Sequence, residues 1–142
     1  MKAFTDINQS KKLAEILPIE SADHHYVRKV CDYMGNAVDG EWSWPKYGNV
    51  NSKYANYIVM NFTSYEKIPC WSLATLLDVI KEQGLVDLRF LQSTYDNRDN
   101  QLTNVWWCTF ENLGIVSLDL YADNPVDTCV AMIKKLHELK ML

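Results

Sequence analysis

Three consecutive segments with alternating apolar and polar residues constrain this sequence more than any other feature. They are "LVDLRFLQSTY", which begins at Leu85, "TNVWWCTFEN", which begins at Thr103, and "GIVSLDLYA", which begins at Gly114. Period-two alternation is typical of strands, because neighbouring side chains on a strand point to opposite faces of the sheet. The turn-forming stretches "DNRDNQ" and "NLG" separate the segments, so together they predict an antiparallel meander.

One face of this meander is apolar on all three strands. We therefore expect helices to cover it and to bury a layer made by Val86, Leu88, Phe90, Trp106, Cys108, Phe110, Val116, Leu118 and Leu120.

The opposite face of the meander centres on Trp107 and is too apolar to be simply solvated. One interpretation is that a further helix, or the 35–56 segment, covers it. The other is a partner surface, most simply a homodimer, because Trp and Tyr bring large rigid area to an interface at low entropy cost. The predicted interface residues are Trp107, Leu91, Tyr95, Ile115 and Tyr121, and Val105 lies on the same side.

Helices are predicted on both sides of residues 35–56. Apolar residues at helical spacing predict helices over 4–18, 21–35 and 68–84, with Ser72 as a cap and Gly84 as a stop for the third. In "DNPVD", Asn124 is the predicted N-cap of a final helix, with Pro125 at its first position and Asp127 near its positive end. The stretch "YIVMNF", at 57–62, predicts a short strand.

Length and pattern together give the fold class. With 142 residues and no repeat or linker, we expect one domain spanning 1–142. The predicted class is α+β, with an antiparallel sheet of three to four strands and helices packed mainly on one face.

Composition excludes several classes of function. The net charge is -4 and the 14 basic residues are scattered, which disfavours nucleic-acid binding, since that needs clustered positive charge. No apolar run is long enough to span a membrane, and the N-terminal stretch is polar, so we expect a cytoplasmic protein. The four separated cysteines are then expected to be small core side chains.

The adjacent histidines of "SADHHYVRKVC" raise the question of a metal site. On a helix, His24 and His25 would point about 100° apart, and no further ligand is placed near them. We therefore expect no metal and no cofactor. No nucleophile elbow, P-loop or dinucleotide motif accompanies them, so enzymatic function is uncertain and the balance favours a non-enzymatic protein. A small hydrolase or metalloenzyme using His24 and His25 remains the second alternative.

The segment 35–56 is rich in glycine, asparagine and aromatic residues. Its Trp42 and Trp44 either anchor a long connection to the domain or contact a ligand. The first alternative function is accordingly a small-molecule or peptide binder that uses Trp42, Trp44 and Trp71.

Three stretches, "QSKKLAEILPIESADHHYV", "IPCWSLATLLDVI" and "DNPVDTCVAMIKKL", carry a family resemblance. They cover about a third of the chain and resemble a family of small uncharacterised proteins encoded on prophages and mobile elements of gut Bacteroidetes. The resemblance implies a phage or mobile-element context and no particular activity. The sequence departs from the family pattern at His24, where a methionine-like residue is usual. The matching residues are Gln9, Ser10, Lys11, Leu13, Ala22, Asp23, Tyr26, Pro69, Trp71, Ser72, Leu73, Leu76, Leu77, Asp123, Pro125, Asp127, Met132 and Ile133.

These observations favour an accessory protein of a phage or mobile element that acts by interaction and not by catalysis. The expected partners are a second copy of the chain and an unknown phage or host protein.

Overall fold

The computed structural model of the chain, which describes residues 2–50, 64–93, 103–114 and 116–142, combines three helices with two antiparallel sheets of three strands each. The α+β class predicted from the sequence is confirmed. The chain divides into two compact units, an N-terminal unit of Phe4–Ser72 and a C-terminal unit of Leu73–Leu142 together with Met1–Ala3. The prediction that residues 1–142 form one domain stays a prediction.

The N-terminal unit begins with a short helix and continues into its sheet. Helix α1 starts after Asp6, whose carboxylate accepts a hydrogen bond from Gln9 N, while the Gln9 side chain accepts one from Asp6 N. This reciprocal capping satisfies two backbone donors that a helix start leaves open. The sheet is antiparallel with the strand order β2-β1-β3. The elements are α1 Ile7–Leu13, a 3-10 turn Ile19–Ser21, β1 His24–Cys31, β2 Lys46–Tyr47 and β3 Ser64–Cys70.

The segment predicted as a helix over 21–35 is a strand, so that prediction is wrong. Apolar residues at helical spacing misled it, because Tyr26 and Val27 are both buried although they point to opposite faces of β1. A strand buried on both faces shows no alternation, and a short apolar run of this kind does not distinguish strand from helix. Pairing along β3, from His24 opposite Cys70 to Cys31 opposite Ser64, supplies the hydrogen bonds that decide the structure.

The C-terminal unit contains the predicted meander. Strands β4 Leu85–Ser93, β5 Thr103–Asn112 and β6 Val116–Ala122 pair antiparallel in chain order. Cys108 lies opposite Leu88 on one side and Leu120 on the other, so the predicted apolar layer is in register. Helices α2 Leu73–Lys81 and α3 Pro125–Glu138 pack on the strands and on each other. Their buried residues are Leu76, Val79, Ile80, Pro125, Val126, Thr128, Cys129, Val130, Met132, Ile133 and Leu136.

The helix ends follow the sequence signals closely at α3 and less closely at α1. Asn124 is the N-cap of α3, with Pro125 at the first helical position and Asp127 in the first turn, as predicted. Helix α1 ends at Leu13, well before Pro18. The hydroxyl of Thr5, which precedes the helix, is buried beside Ser10 Oγ at 2.8 Å.

Two further findings complete the outline of the fold. In the part of the chain that the structure describes, no helix is long and apolar enough to cross a membrane. The predicted strand at 57–62 and residues 51–56 of the tryptophan-containing segment lie outside the described residues.

We predict that Gly84→Ala destabilises the protein, because Gly84 passes close to β5. A Cβ there would lie 2.6 Å from the carbonyl oxygen of Glu111 and 2.9 Å from the ring of Phe110. Backbone and a buried ring cannot move away cheaply, so the free energy of unfolding should fall by about 1–3 kcal/mol. Urea denaturation followed by circular dichroism measures this change.

The matched control for this prediction is Gly35→Asn. Gly35 has a φ of +82° and nothing near its missing Cβ, and asparagine tolerates this backbone region well. The control should lose less stability than Gly84→Ala, because it meets backbone strain but no steric contact. Equal stability of Gly84→Ala and the unaltered protein would refute the steric argument.

We predict that Asn124→Ala lowers the free energy of unfolding by about 1 kcal/mol. The side-chain oxygen of Asn124 accepts a hydrogen bond from Asp127 N at 2.9 Å, and alanine would leave that donor unsatisfied. Asn124→Ser keeps an acceptor and should retain most of the stability. Thermal denaturation of the three proteins tests this, and identical midpoints would contradict it.

Candidate functional site

The face of the C-terminal sheet that points away from α2 and α3 is the candidate functional site, and we call it the outer face. Strand alternation places every second residue of β4, β5 and β6 there. Its described residues are Leu85, Asp87, Arg89, Leu91, Val105, Trp107, Thr109, Glu111, Ser117, Asp119 and Tyr121.

An aromatic row crosses the outer face. In register, Arg89 lies opposite Trp107, and Trp107 lies opposite Tyr121. The rings of Trp107 and Tyr121 are parallel, with 6.0 Å between their centroids and 6° between their planes. Trp107 Nε1 donates a hydrogen bond to Asp119 Oδ1 at 3.0 Å, which fixes the indole ring on the sheet. Tyr121 remains 57% exposed, so this row presents a rigid aromatic surface to solvent.

An acidic row lies next to the aromatic row. Asp87 lies opposite Thr109, and Thr109 lies opposite Asp119. Arg89 Nε donates a hydrogen bond to Asp87 Oδ2 at 2.6 Å, which joins the two rows along β4. Glu111 adds a third carboxylate one row further on. The outer face therefore has one cation beside its aromatic pair and three carboxylates towards the other end.

The residues predicted as an interface fall partly on this face. Trp107, Tyr121 and Leu91 lie on it together with Val105, whereas Tyr95 and Ile115 lie outside the described residues. Sequence reasoning did not identify Arg89 and Asp87 as part of the site. The alternation already places both on the Trp107 side, but their neighbours become known only from the cross-strand register.

His24 and His25 occupy different environments, because adjacent residues on β1 point to opposite faces of the sheet. His25 is buried, and its Nδ1 lies 2.7 Å from the carbonyl oxygen of Gly48. His24 packs edge-on against the rings of Phe4 and Tyr47, at 4.7 and 5.5 Å between centroids. The two histidines therefore do not converge. Among the described residues, no group of three or more His, Cys, Asp or Glu side chains is arranged to hold a metal ion.

A serine, an aspartate and a histidine do lie together in the N-terminal unit. Ser72 Oγ donates to Asp23 Oδ2 at 2.6 Å, and Ser72 N donates to Asp23 Oδ1 at 2.9 Å. His24 Nδ1 is 3.0 Å from Asp23 Oδ2 but outside hydrogen-bonding geometry. In a catalytic triad the histidine lies between the hydroxyl and the carboxylate, whereas here Asp23 lies between Ser72 and His24. The carboxylate ties residue 72 to β1 and does not activate a nucleophile.

The three tryptophans predicted to bind a ligand do not share one surface. Trp71 has no exposed surface and its Nε1 donates to Ser21 Oγ at 3.0 Å, so it belongs to the core. Trp42 is half-buried against the cluster around Tyr26, with the Arg28 guanidinium 4.9 Å from its ring centroid, and this fits the anchoring interpretation. Trp44 is 88% exposed. A ligand site built from all three side chains does not fit these positions.

The cysteines serve mainly as core side chains, as the sequence predicts. Cys70, Cys108 and Cys129 are fully buried, Cys31 is half-buried, and none forms a disulfide. The Cys129 thiol donates a hydrogen bond to Cys108, and this bond together with burial raises the pKa of Cys129 well above its ordinary value. Burial raises the pKa of Cys70 as well. Cys70 and Cys129 therefore stay protonated at neutral pH and do not fit the role of nucleophile.

Comparisons of the chain with protein-family models, with curated proteins and with solved structures give no match. The outer face combines a parallel aromatic pair with a neighbouring group of charged side chains.

Proposed function

We propose that this chain is a non-enzymatic interaction protein that self-associates through the outer face. The observation that carries the proposal is the parallel pair of Trp107 and Tyr121, held on an open sheet face by the bond from Trp107 Nε1 to Asp119. Side chains fixed in this way lose little conformational freedom when a partner covers them, and aromatic residues dominate the energetics of interface cores.

The neighbours of the aromatic pair support an interface over a solvated face. Leu91 and Val105 lie next to the pair in register, and Leu85, at the opposite end of β4, is 76% exposed. Apolar surface of this kind costs free energy in water and is covered when two copies associate. Arg89 and the carboxylates around it supply the polar groups that are typical of the solvent-accessible rim of an interface.

A catalytic function receives less support. The histidines do not converge, Asp23 is occupied by Ser72, and three of the four thiols are buried. The four free thiols fit a reducing compartment, so we place the association in the cytoplasm. The family resemblance adds a phage or mobile-element setting to the proposal, with a phage or host protein as a further partner.

We predict that the protein is a dimer in solution and that Trp107→Glu makes it monomeric. Glutamate removes the apolar ring and adds a charge next to Asp119, so the dimer dissociation constant should rise roughly 100-fold or more. Size-exclusion chromatography with light scattering measures the mass, and circular dichroism checks that the variant is folded.

Trp44→Glu is the matched control for this experiment, because it makes the same chemical change at another exposed tryptophan, in the N-terminal unit. Its mass should equal that of the unaltered protein. The proposal fails if the unaltered protein is monomeric at about 100 μM, since a functional homodimer interface normally gives a Kd well below that. It fails equally if Trp107→Glu remains a dimer.

A further inference from the structure

The charges of the outer face are distributed unevenly, and this limits how two copies can pair. Arg89 is the one basic residue among the described outward-facing positions of β4, β5 and β6, and it lies in the aromatic row. Asp87 and Asp119 lie in the next row, at the two edges of the sheet. If each row of one copy lies over the same row of the other copy, like charges face each other. If the aromatic row of each copy lies over the acidic row of the other, opposite charges face each other.

Symmetry reduces the choice to a few arrangements. Two identical faces that pack on each other as a closed dimer are related by a two-fold axis lying between them. An axis parallel to the strands, through β5, places Asp87 of one copy over the partner's Asp119, which sets two carboxylates against each other. An axis across the strands keeps β4 over the partner's β4. With such an axis, opposite charges of the two copies face each other only when the axis lies between the aromatic row and the acidic row.

We infer that two copies pair outer face to outer face about a two-fold axis that crosses the strands between these rows, so that Arg89 of each copy pairs with Asp87 of the partner subunit. The inference rests on the proposed function and specifies the partner's register. It also places Trp107 over the partner's Thr109 and Tyr121 over the partner's Asp119, which pairs each large ring with a smaller side chain. Leu85 then lies over the partner's Leu91.

The bond already present within each copy is compatible with this arrangement. Arg89 donates from Nε to its own Asp87, and the guanidinium carries four further N–H donors on its two NH2 groups. The pair is exposed in one copy, where it contributes little to stability. Covered by the partner, two arginines and two aspartates form an alternating four-charge cluster in which each cation has two anions beside it. Such a cluster strengthens as water is excluded, and salt weakens its partly exposed edge.

The test is a set of charge variants measured by sedimentation equilibrium at about 50 mM and about 500 mM NaCl, which screen charges to different distances. Asp87→Lys places four cations together, and Arg89→Glu places four anions together. Each should raise the dimer dissociation constant about tenfold or more at the lower salt concentration, as expected for close charge pairs. The double variant Asp87→Arg, Arg89→Asp restores opposite charges and should return to within about threefold of the unaltered protein.

Glu111→Lys is the matched control, because it makes the same charge change as Asp87→Lys on the same face. The inferred register places Glu111 over the partner's Val105, so this variant should not weaken the dimer. If only the overall negative charge mattered, both lysine variants would strengthen the dimer, and this result would overturn the inference. Equal weakening by both lysine variants, or a double variant no better than either single one, would overturn it as well.

The proposed function and this inference fail in different ways. A monomeric unaltered protein, or a dimer insensitive to Trp107→Glu, refutes self-association through the outer face. A dimer that Trp107→Glu disrupts, but that fails the charge tests, leaves the proposed function in place and refutes only the register inferred for it.

Discussion

Side-chain alternation along β5 is the constraint on which the rest of the C-terminal unit depends. Cys108 and Phe110 are buried under α2 and α3 because they point to one side, and Trp107 and Thr109 must then point to the other. A shift of one residue in register would exchange the two sets and place Trp107 in the core. The burial that stabilises the unit and the exposure that creates the outer face are therefore two results of one pattern.

The same pattern explains how much of the structure could be predicted. The meander, its apolar layer and the start of α3 follow from local signals, namely apolar residues at every second position of segments bounded by turns, and the sequence around Asn124. Strand β1 could not be found in this way, because Tyr26 and Val27 are buried on both of its faces and its pairing with β3 joins residues about forty positions apart. Long-range pairing overrode a local pattern that fitted a helix equally well.

The residues of the candidate site were likewise only partly predictable from the sequence. Trp107 and Tyr121 were recognisable because they are large aromatic residues on the face of the sheet opposite the predicted core layer. Arg89 was not recognisable, since its importance lies in its neighbours across the sheet. Trp71 looked available for a ligand, yet its position beside Thr5 and Ser21 makes it core. Burial of that kind depends on which segments meet, and the residue type alone does not reveal it.

The beginning of the chain is bonded to residues far along it. Thr5 N donates to the carbonyl oxygen of Trp71, and Leu73 N donates to that of Ala3. Lys2 forms an ion pair with Asp127 at 2.8 Å. On a ribosome, the backbone bonds of Ala3 and Thr5 can therefore form only after residues 71–73 have been made, and the ion pair of Lys2 with Asp127 only after Asp127 has been made. Although each unit is compact, neither can complete its hydrogen bonds while the chain is still short.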